Sequence, residues 1–268
     1  HRSFNLSFFY NLMKLNLNQL KEIDENGYVI LPDWFSNEEV NNLRKAMKIV
    51  FNEKAEANVV EKSSGEVRTA MGLHLRSKIF DDLTRHPKFF EPACQIRGNN
   101  LYIQQTKINV KAAFTGEVWQ WHYDFATHSG EDGVPKPLAL NLHVFLDEVT
   151  EFNGPLFFIP KSHKYGSAPS KLDTVTTSYP LWTVDQQTVK KLVKENGIVS
   201  ARGKAGTAVI FVDNLVHGSA QNMSPMDRAI FSAILNPCEN AQTKFSRPDY
   251  KHGRDFKPID ASSNNSLK

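Results

Sequence analysis

His122 and Asp124 stand two residues apart inside "WQWHYDF", residues 119–125. On an extended chain side chains alternate between faces, so the imidazole and the carboxylate converge while Trp121, Tyr123 and Phe125 take the other side. An isolated His–Asp couple is sufficiently explained by a buried hydrogen bond that satisfies both groups. A third group changes the reading. His217, in "FVDNLVHGSAQN", follows another strand-like run and precedes Gly218 and Ser219. Two imidazoles and one carboxylate drawn from two strands form the facial triad of non-haem Fe(II), which leaves coordination positions open for other ligands. Arg228 lies eleven residues beyond His217, on the strand that would return beside it. A guanidinium aimed into a barrel is costly unless a carboxylate meets it in a bidentate contact. The pairing suggests a dicarboxylate co-substrate, with one end on the metal and the other on Arg228.

These groups need a scaffold of strands. From about residue 99 the apolar period is two, and "LYIQQTKINV", "EVWQWHYDF", "LALNLHVFL", "PLFFIP", "GTAVIFVD" and "RAIFSAIL" each predict a strand. Before them, "FSNEEVNNLRKAMKIVF" carries Ser36 and Glu39 at capping-box spacing, then Val40, Leu43, Met47 and Val50 on one helical face. "TVDQQTVKKLVKENG" predicts an inserted helix closed by Gly197. Helices followed by strands that do not alternate with helices predict a mainly β molecule, an antiparallel barrel or jelly roll backed by N-terminal helices. The expected organisation is a loose extension over residues 1–20, one domain over 21–260 and a flexible tail, "SSNNSLK" included, over 261–268.

Composition narrows the function class. The chain of 268 residues is 40% hydrophobic and 23% charged, ordinary for a globular protein, and its net charge of +3 is spread without a dense basic run. A nucleic-acid partner is therefore not expected. No stretch approaches the ~20 apolar residues of a membrane span. Cys94 and Cys238 are too few for a disulfide framework or a four-thiolate zinc site, and a reducing cytoplasm suits them. "HRSFNLSFFYNL" is a poor signal peptide, and Met13 is nearer to a natural start. Monomer and homodimer both stay open.

The sequence resembles the phytanoyl-CoA dioxygenase family of Fe(II)- and 2-oxoglutarate-dependent oxygenases, and within it the ectoine hydroxylase branch. The likeness runs from "ENGYVILPDWFS" to "RDFKPI" and is densest over "QTKINVKAAFTGEVWQWHYDFATHSGEDGVP", "EFNGPLFFIPKSH" and "HGSAQNMSPMDRAI". It implies a double-stranded β-helix, cupin-like core, with Fe(II) on His122, Asp124 and His217 and with 2-oxoglutarate and O2 as co-substrates. Arg228 and Ser219 would take the distal carboxylate, and Asn141, Gln105 and Asn109 would add polar contacts to the co-substrate. Gln105, Lys107 and Asn109 share one face of their strand, which places Lys107 with the substrate.

The substrate region departs from the ectoine pattern. His128 stands where those enzymes carry a Trp, and Ala126 where they carry a Glu. An imidazole replaces an aromatic face suited to a flat cation, which favours a hydrogen-bonding or anionic ligand. Lys107, Thr127, His128 and the apolar Phe211 are thus the expected substrate residues, for a small anionic or zwitterionic metabolite resembling an amino acid or an aminophosphonate. Ectoine hydroxylation proper is the alternative. A halogenase would lack the Asp124 carboxylate, a sensor without turnover would have lost a ligand or the arginine, and a cupin hydrolase would not need Arg228. His74, His86 and His252 read as surface residues, His163 as a loop support, and His143 as either a packing or a pocket residue.

Overall fold

The computed structural model describes residues 13–176 and 180–268; the expectations for residues 1–12 fall outside these. Asn16 and Gln19 form a reciprocal capping box that opens α1 (Leu17–Asn26), so a helix begins within the stretch expected to be loose. Gly27 closes it at φ +87°, where a Cβ would lie 2.7 Å from His163 Nδ1. Only glycine fits this left-handed turn. Strand β1 (Tyr28–Leu31) follows, and then α2 (Asn37–Phe51) with the expected box: Ser36 Oγ accepts from the Glu39 amide at 3.2 Å, and Glu39 Oε2 accepts from the Ser36 amide at 2.8 Å.

Five more strands join β1 in the large antiparallel sheet ahead of its central member. They are β2 (Asn58–Val60), β3 (Val67–Met71), β4 (Leu101–Lys111), β6 (Leu140–Phe145) and β11 (Ala208–Val212), arranged around β13 (Arg228–Pro237) in the order β1-β11-β6-β13-β4-β3-β2. The short helices α3 (Leu73–Arg76), α4 (Lys78–Thr84) and α5 (Pro87–Arg97) join α2 on the outer face. On β13, Phe231 points outward and stacks on Phe80 at 5.6 Å and on Phe89 at 6.5 Å. Arg228, Ile230 and Ser232 have the opposite parity and point inward. The helices thus seal one face of the sheet with an apolar core and leave the other for polar work. Truncating Phe231 to Ala in such a core costs about 3–5 kcal/mol.

A second sheet covers that inner face: β10 (Val199–Ala201), β7 (Leu156–Phe158), β12 (His217–Ser219) and β5 (Trp119–His122), in that order. A hairpin of β8 (Ser170–Asp173) and β9 (Leu181–Val184) stands beside it, followed by the predicted inserted helix, α7 (Gln186–Asn196), with Gly197 as its cap. The two facing sheets form the expected double-stranded β-helix.

Two sequence-based expectations are corrected. The strand expected to run through Phe125 stops at His122, and Asp124 instead opens a helix, α6 (Asp124–Gly130). The terminal residues are packed rather than loose: Leu267 is 1% exposed, Asn42 donates to its carbonyl at 3.0 Å, and Ser262 Oγ donates to the Asp82 carbonyl at 2.7 Å. Strands β1, β2, β3, β8, β9, β10 and β12, of three to five residues each, escaped the periodicity.

Candidate active site

Strands β5 and β12 pair so that His122 lies directly opposite His217, with ring centroids 4.2 Å apart. His122 Nδ1 donates to the Gln120 carbonyl at 2.6 Å and His217 Nδ1 to the Leu215 carbonyl at 2.9 Å. Each ring is thereby held in the tautomer that leaves Nε2 free as a ligand. Asp124 Oδ1 lies 3.6 Å from His122 Nε2 and 3.8 Å from His217 Nε2. The three donor atoms lie within 4.8 Å of one another. His122 and Asp124 converge as the sequence implied, but through a strand end and a helix start rather than through strand alternation. The helix start is itself tied down, since the Phe125 amide donates to the Asp213 carbonyl at 2.9 Å. The other half of the aromatic run does point away: Trp121, Tyr123 and Phe125 pack with Ile159, Val184 and Leu192, and the Tyr123 hydroxyl donates to the Ala168 carbonyl.

Burial and the neighbouring His217 push His122 down to a pKa of about 3, so it is a neutral donor at ordinary pH. For Asp124 burial works against ionisation, but His217, His122, Lys107 and His128 outweigh it and hold the carboxyl well below its usual range. Two imidazoles and a carboxylate, preformed and oriented, suit a divalent first-row metal with an open face. Asn141 donates through Nδ2 to Asp124 Oδ2 at 2.6 Å and accepts from Ser232 Oγ at 3.1 Å. One N–H of its amide is therefore used on the Asp124 carboxylate, in addition to any co-substrate contact of the kind the resemblance implied.

A cavity of about 320 Å³ opens in front of these groups. Gln105, Lys107, Asn109, Thr127, His128, Asn141 and Phe211 all line it beside the triad. Gln105 directs its side-chain amide to the Lys251 carbonyl at 2.8 Å, and Asn109 Oδ1 accepts from Thr69 Oγ1 at 2.8 Å. Phe211 packs edge-on against His217 at 5.0 Å and His143 at 4.9 Å, a dry wall behind the rings. His128 is buried with Nδ1 2.8 Å from Asp213 Oδ1; burial opposes its charge, but the Asp213 carboxylate, by charge and hydrogen bond, raises its pKa above the ordinary value.

Arg228 and Ser219, 2% and 3% exposed, are not among the residues that line the cavity. Among the described residues Arg228 Nε and Ser219 Oγ have no hydrogen-bond partner. Burial and the charge of Arg68 bring Arg228 down to about 9, against the opposing pull of Asp147. Lys111 crowds the same region, its ammonium donating to the Glu117, Ser219 and Ala220 carbonyls. A buried guanidinium and hydroxyl left unpaired amid other cations fit an incoming carboxylate, which would supply the missing acceptor.

Sequence reasoning missed several lining residues. Arg247 and Lys251 reach the cavity from an irregular C-terminal segment, and Trp182 and Glu131 from beside α6. None lies on a periodic run. His143 does line the cavity, and its shared parity with Asn141 was the available signal. The surface reading of three histidines fails. His86 and His252 are 0% exposed, and His74 pairs with Thr106 Oγ1 at 2.7 Å. His252 joins Asp132 at 2.9 Å to the Tyr102 hydroxyl at 2.9 Å. His163 supports a loop, as expected, through the Asp24 carbonyl at 3.0 Å.

The family model described as phytanoyl-CoA dioxygenase (PhyH) matches residues 23–230. This chain belongs to that family. An ectoine dioxygenase of Nocardia farcinica is 31% identical over 256 residues, 90% of this chain and 86% of the relative. An L-proline trans-4-hydroxylase of Streptomyces griseoviridis is 31% identical over 243 residues, 87% of this chain and 91% of the relative. The crystal structure of EctD from S. alaskensis with bound Fe superposes with a TM-score of 0.83 at 30% identity, covering 95% of this chain and 89% of that one. A second structure of that enzyme holds 2-oxoglutarate and 5-hydroxyectoine, with a TM-score of 0.80 at 31% identity over 92% of this chain and 86% of that one.

Proposed function

We propose that this Fe(II)- and 2-oxoglutarate-dependent dioxygenase hydroxylates an unactivated C–H bond of a small anionic or zwitterionic metabolite resembling an amino acid or an aminophosphonate. The observation that carries the reading is the polar wall of the cavity, where Lys107, Thr127 and His128 line the same space as the triad. When bound, iron with 2-oxoglutarate and O2 supplies the oxidising power that breaks the C–H bond. The protein's own part is positional. His122, Asp124 and His217 would hold the metal, with Asn141 fixing the carboxylate and backbone carbonyls fixing both rings. Arg228 and Ser219 would hold the distal carboxylate of the co-substrate. Lys107, Thr127 and His128 would orient the substrate, while Phe211 and Leu156 exclude water.

Ectoine hydroxylation is the second reading, supported by the ectoine dioxygenase relatives and by the likeness to EctD. A site built to pair polar groups discriminates against ligands that leave them unpaired, so the polar lining by Lys107, Thr127 and His128 favours the first reading. Succinate release measured across ectoine, L-proline, acidic amino acids and aminophosphonates decides between them. Efficient, tightly coupled hydroxylation of ectoine would overturn the first reading.

A further inference from the structure

Charge in the cavity can be followed group by group. Arg247 is met by Asp132 in a two-point contact, Nε to Oδ1 at 2.7 Å and the terminal amine to Oδ2 at 2.5 Å. His128 is met by Asp213. A divalent iron, the Asp124 carboxylate, a dianionic co-substrate and Arg228 neutralise one another. Three charged side chains remain on the cavity wall: Lys107, Lys251 and Glu131. Neither ammonium has a hydrogen-bonded or ion-paired partner among the described residues, and Glu131 only accepts from Trp182 Nε1 at 3.3 Å.

Lys251 is not a loosely placed surface lysine. Its carbonyl accepts from Gln105 Nε2, two residues before Lys107 on the same face of β4, so the Lys251 backbone lies against the face that carries Lys107. The turn that carries it is clamped on both sides. Asp132 binds Arg247 before it and His252 after it, and His252 reaches on to Tyr102. Gly253 then presses its backbone onto β4, where its amide donates to the Gln104 carbonyl and a Cβ would lie 2.3 Å from the Ile103 oxygen. A loop this constrained presents its lysine with little further ordering to lose on binding.

Resting on the reading above, we infer that the substrate carries two anionic groups and one ammonium, as an acidic amino acid or an amino-phosphono acid does, with Lys107 and Lys251 taking the anions and Glu131 the ammonium. Lys251 is then a specificity-determining residue. The two unpaired lysines and one unpaired carboxylate complement a ligand of net charge −1, and a neutral zwitterion such as L-proline would leave one lysine without a partner.

The test is anaerobic equilibrium dialysis of L-aspartate, L-glutamate, 2-amino-3-phosphonopropanoate, L-proline and ectoine against the iron-loaded enzyme under saturating 2-oxoglutarate, with succinate release in air as a second readout. At least one acidic probe binds ten-fold or more tightly than L-proline and ectoine. That ratio collapses towards one in Lys251→Met and is largely kept in Lys251→Arg. A merely structural lysine would weaken all probes equally and preserve the ratio, which would overturn the inference. Tighter binding and coupled turnover of L-proline would also overturn it while leaving the proposed function standing, whereas the same result with ectoine would overturn both. Failure of all five probes to bind or couple would overturn both.

Discussion

The two sides of the cavity are built by different means. On the metal side, the two histidines are placed by something near them in the chain or directly across a strand pair: His122 and His217 face each other in register, and each ring is oriented by the carbonyl two residues earlier. On the side where the substrate is proposed to bind, the turn carrying Arg247 and Lys251 is held by Asp132, more than a hundred residues away in sequence, and by a histidine and tyrosine that do not line the cavity. Chemistry that must hold a metal sits on regular backbone, where geometry is repeated and stiff. The segment that carries Arg247 and Lys251 is irregular chain, held in place by a buried polar network.

Disabling the metal side has the largest expected effect. Asp124→Ala should abolish oxygenation and strip iron, because two imidazoles alone hold the metal weakly; metal analysis with succinate assay checks both, and retained iron with turnover would show the triad to be misassigned. Arg228→Ala should come next. Leaving a buried carboxylate unpaired costs about 2–5 kcal/mol, so the KM for 2-oxoglutarate should rise by about 30-fold or more while iron content holds. An unchanged KM would reduce Arg228 to a structural cation.

Asn141→Ala sharpens the contrast, since Asn141 acts on the metal side through Asp124. Loss of such an orienting group typically lowers metal affinity or activity by about 10–100-fold. The decisive measurement is iron affinity against the KM for 2-oxoglutarate: a role through Asp124 moves the first, and a direct co-substrate contact moves the second.

Asp132→Asn probes the substrate side and should have the smallest effect. Burial works against its ionisation, yet Arg247 and His252 bring its pKa to about 2 from the ordinary 3.8. A carboxyl with a depressed pKa contributes stability that is present above its unfolded pKa and is lost as pH falls through the folded one. The contribution, about 2 kcal/mol, should therefore separate wild type from Asp132→Asn in urea unfolding at pH 6, with the two curves converging towards pH 2. A constant gap across that range would mean that the carboxylate's charge is not what clamps the turn.

Much of the metal side was legible because its signals are local. The His122–Asp124 spacing, His217 before Gly218, and Arg228 eleven residues on can be read without knowing any contact. The register of Gln105, Lys107 and Asn109 was legible for the same reason, since strand parity holds along a regular run. Several short elements were not. A three-residue strand such as β12 has too few residues to show a period, and its existence depends on the partners that pair with it on both sides. His252 could not be placed either, because its surroundings in sequence are polar while its surroundings in space are Asp132 and Tyr102.

By itself the sequence determined the fold class, the metal-binding chemistry and the need for an anionic co-substrate, because residue type and periodicity carry these directly. Only the tertiary structure decided that Asp124 reaches the metal site from a helix start, that Asn141 serves Asp124, and that a clamped C-terminal turn brings Lys251 to the same cavity as Lys107. The physical reason is range. Periodicity and capping act over a few residues, whereas a side chain's partner in a buried network is set by how distant segments pack, and no local pattern encodes that.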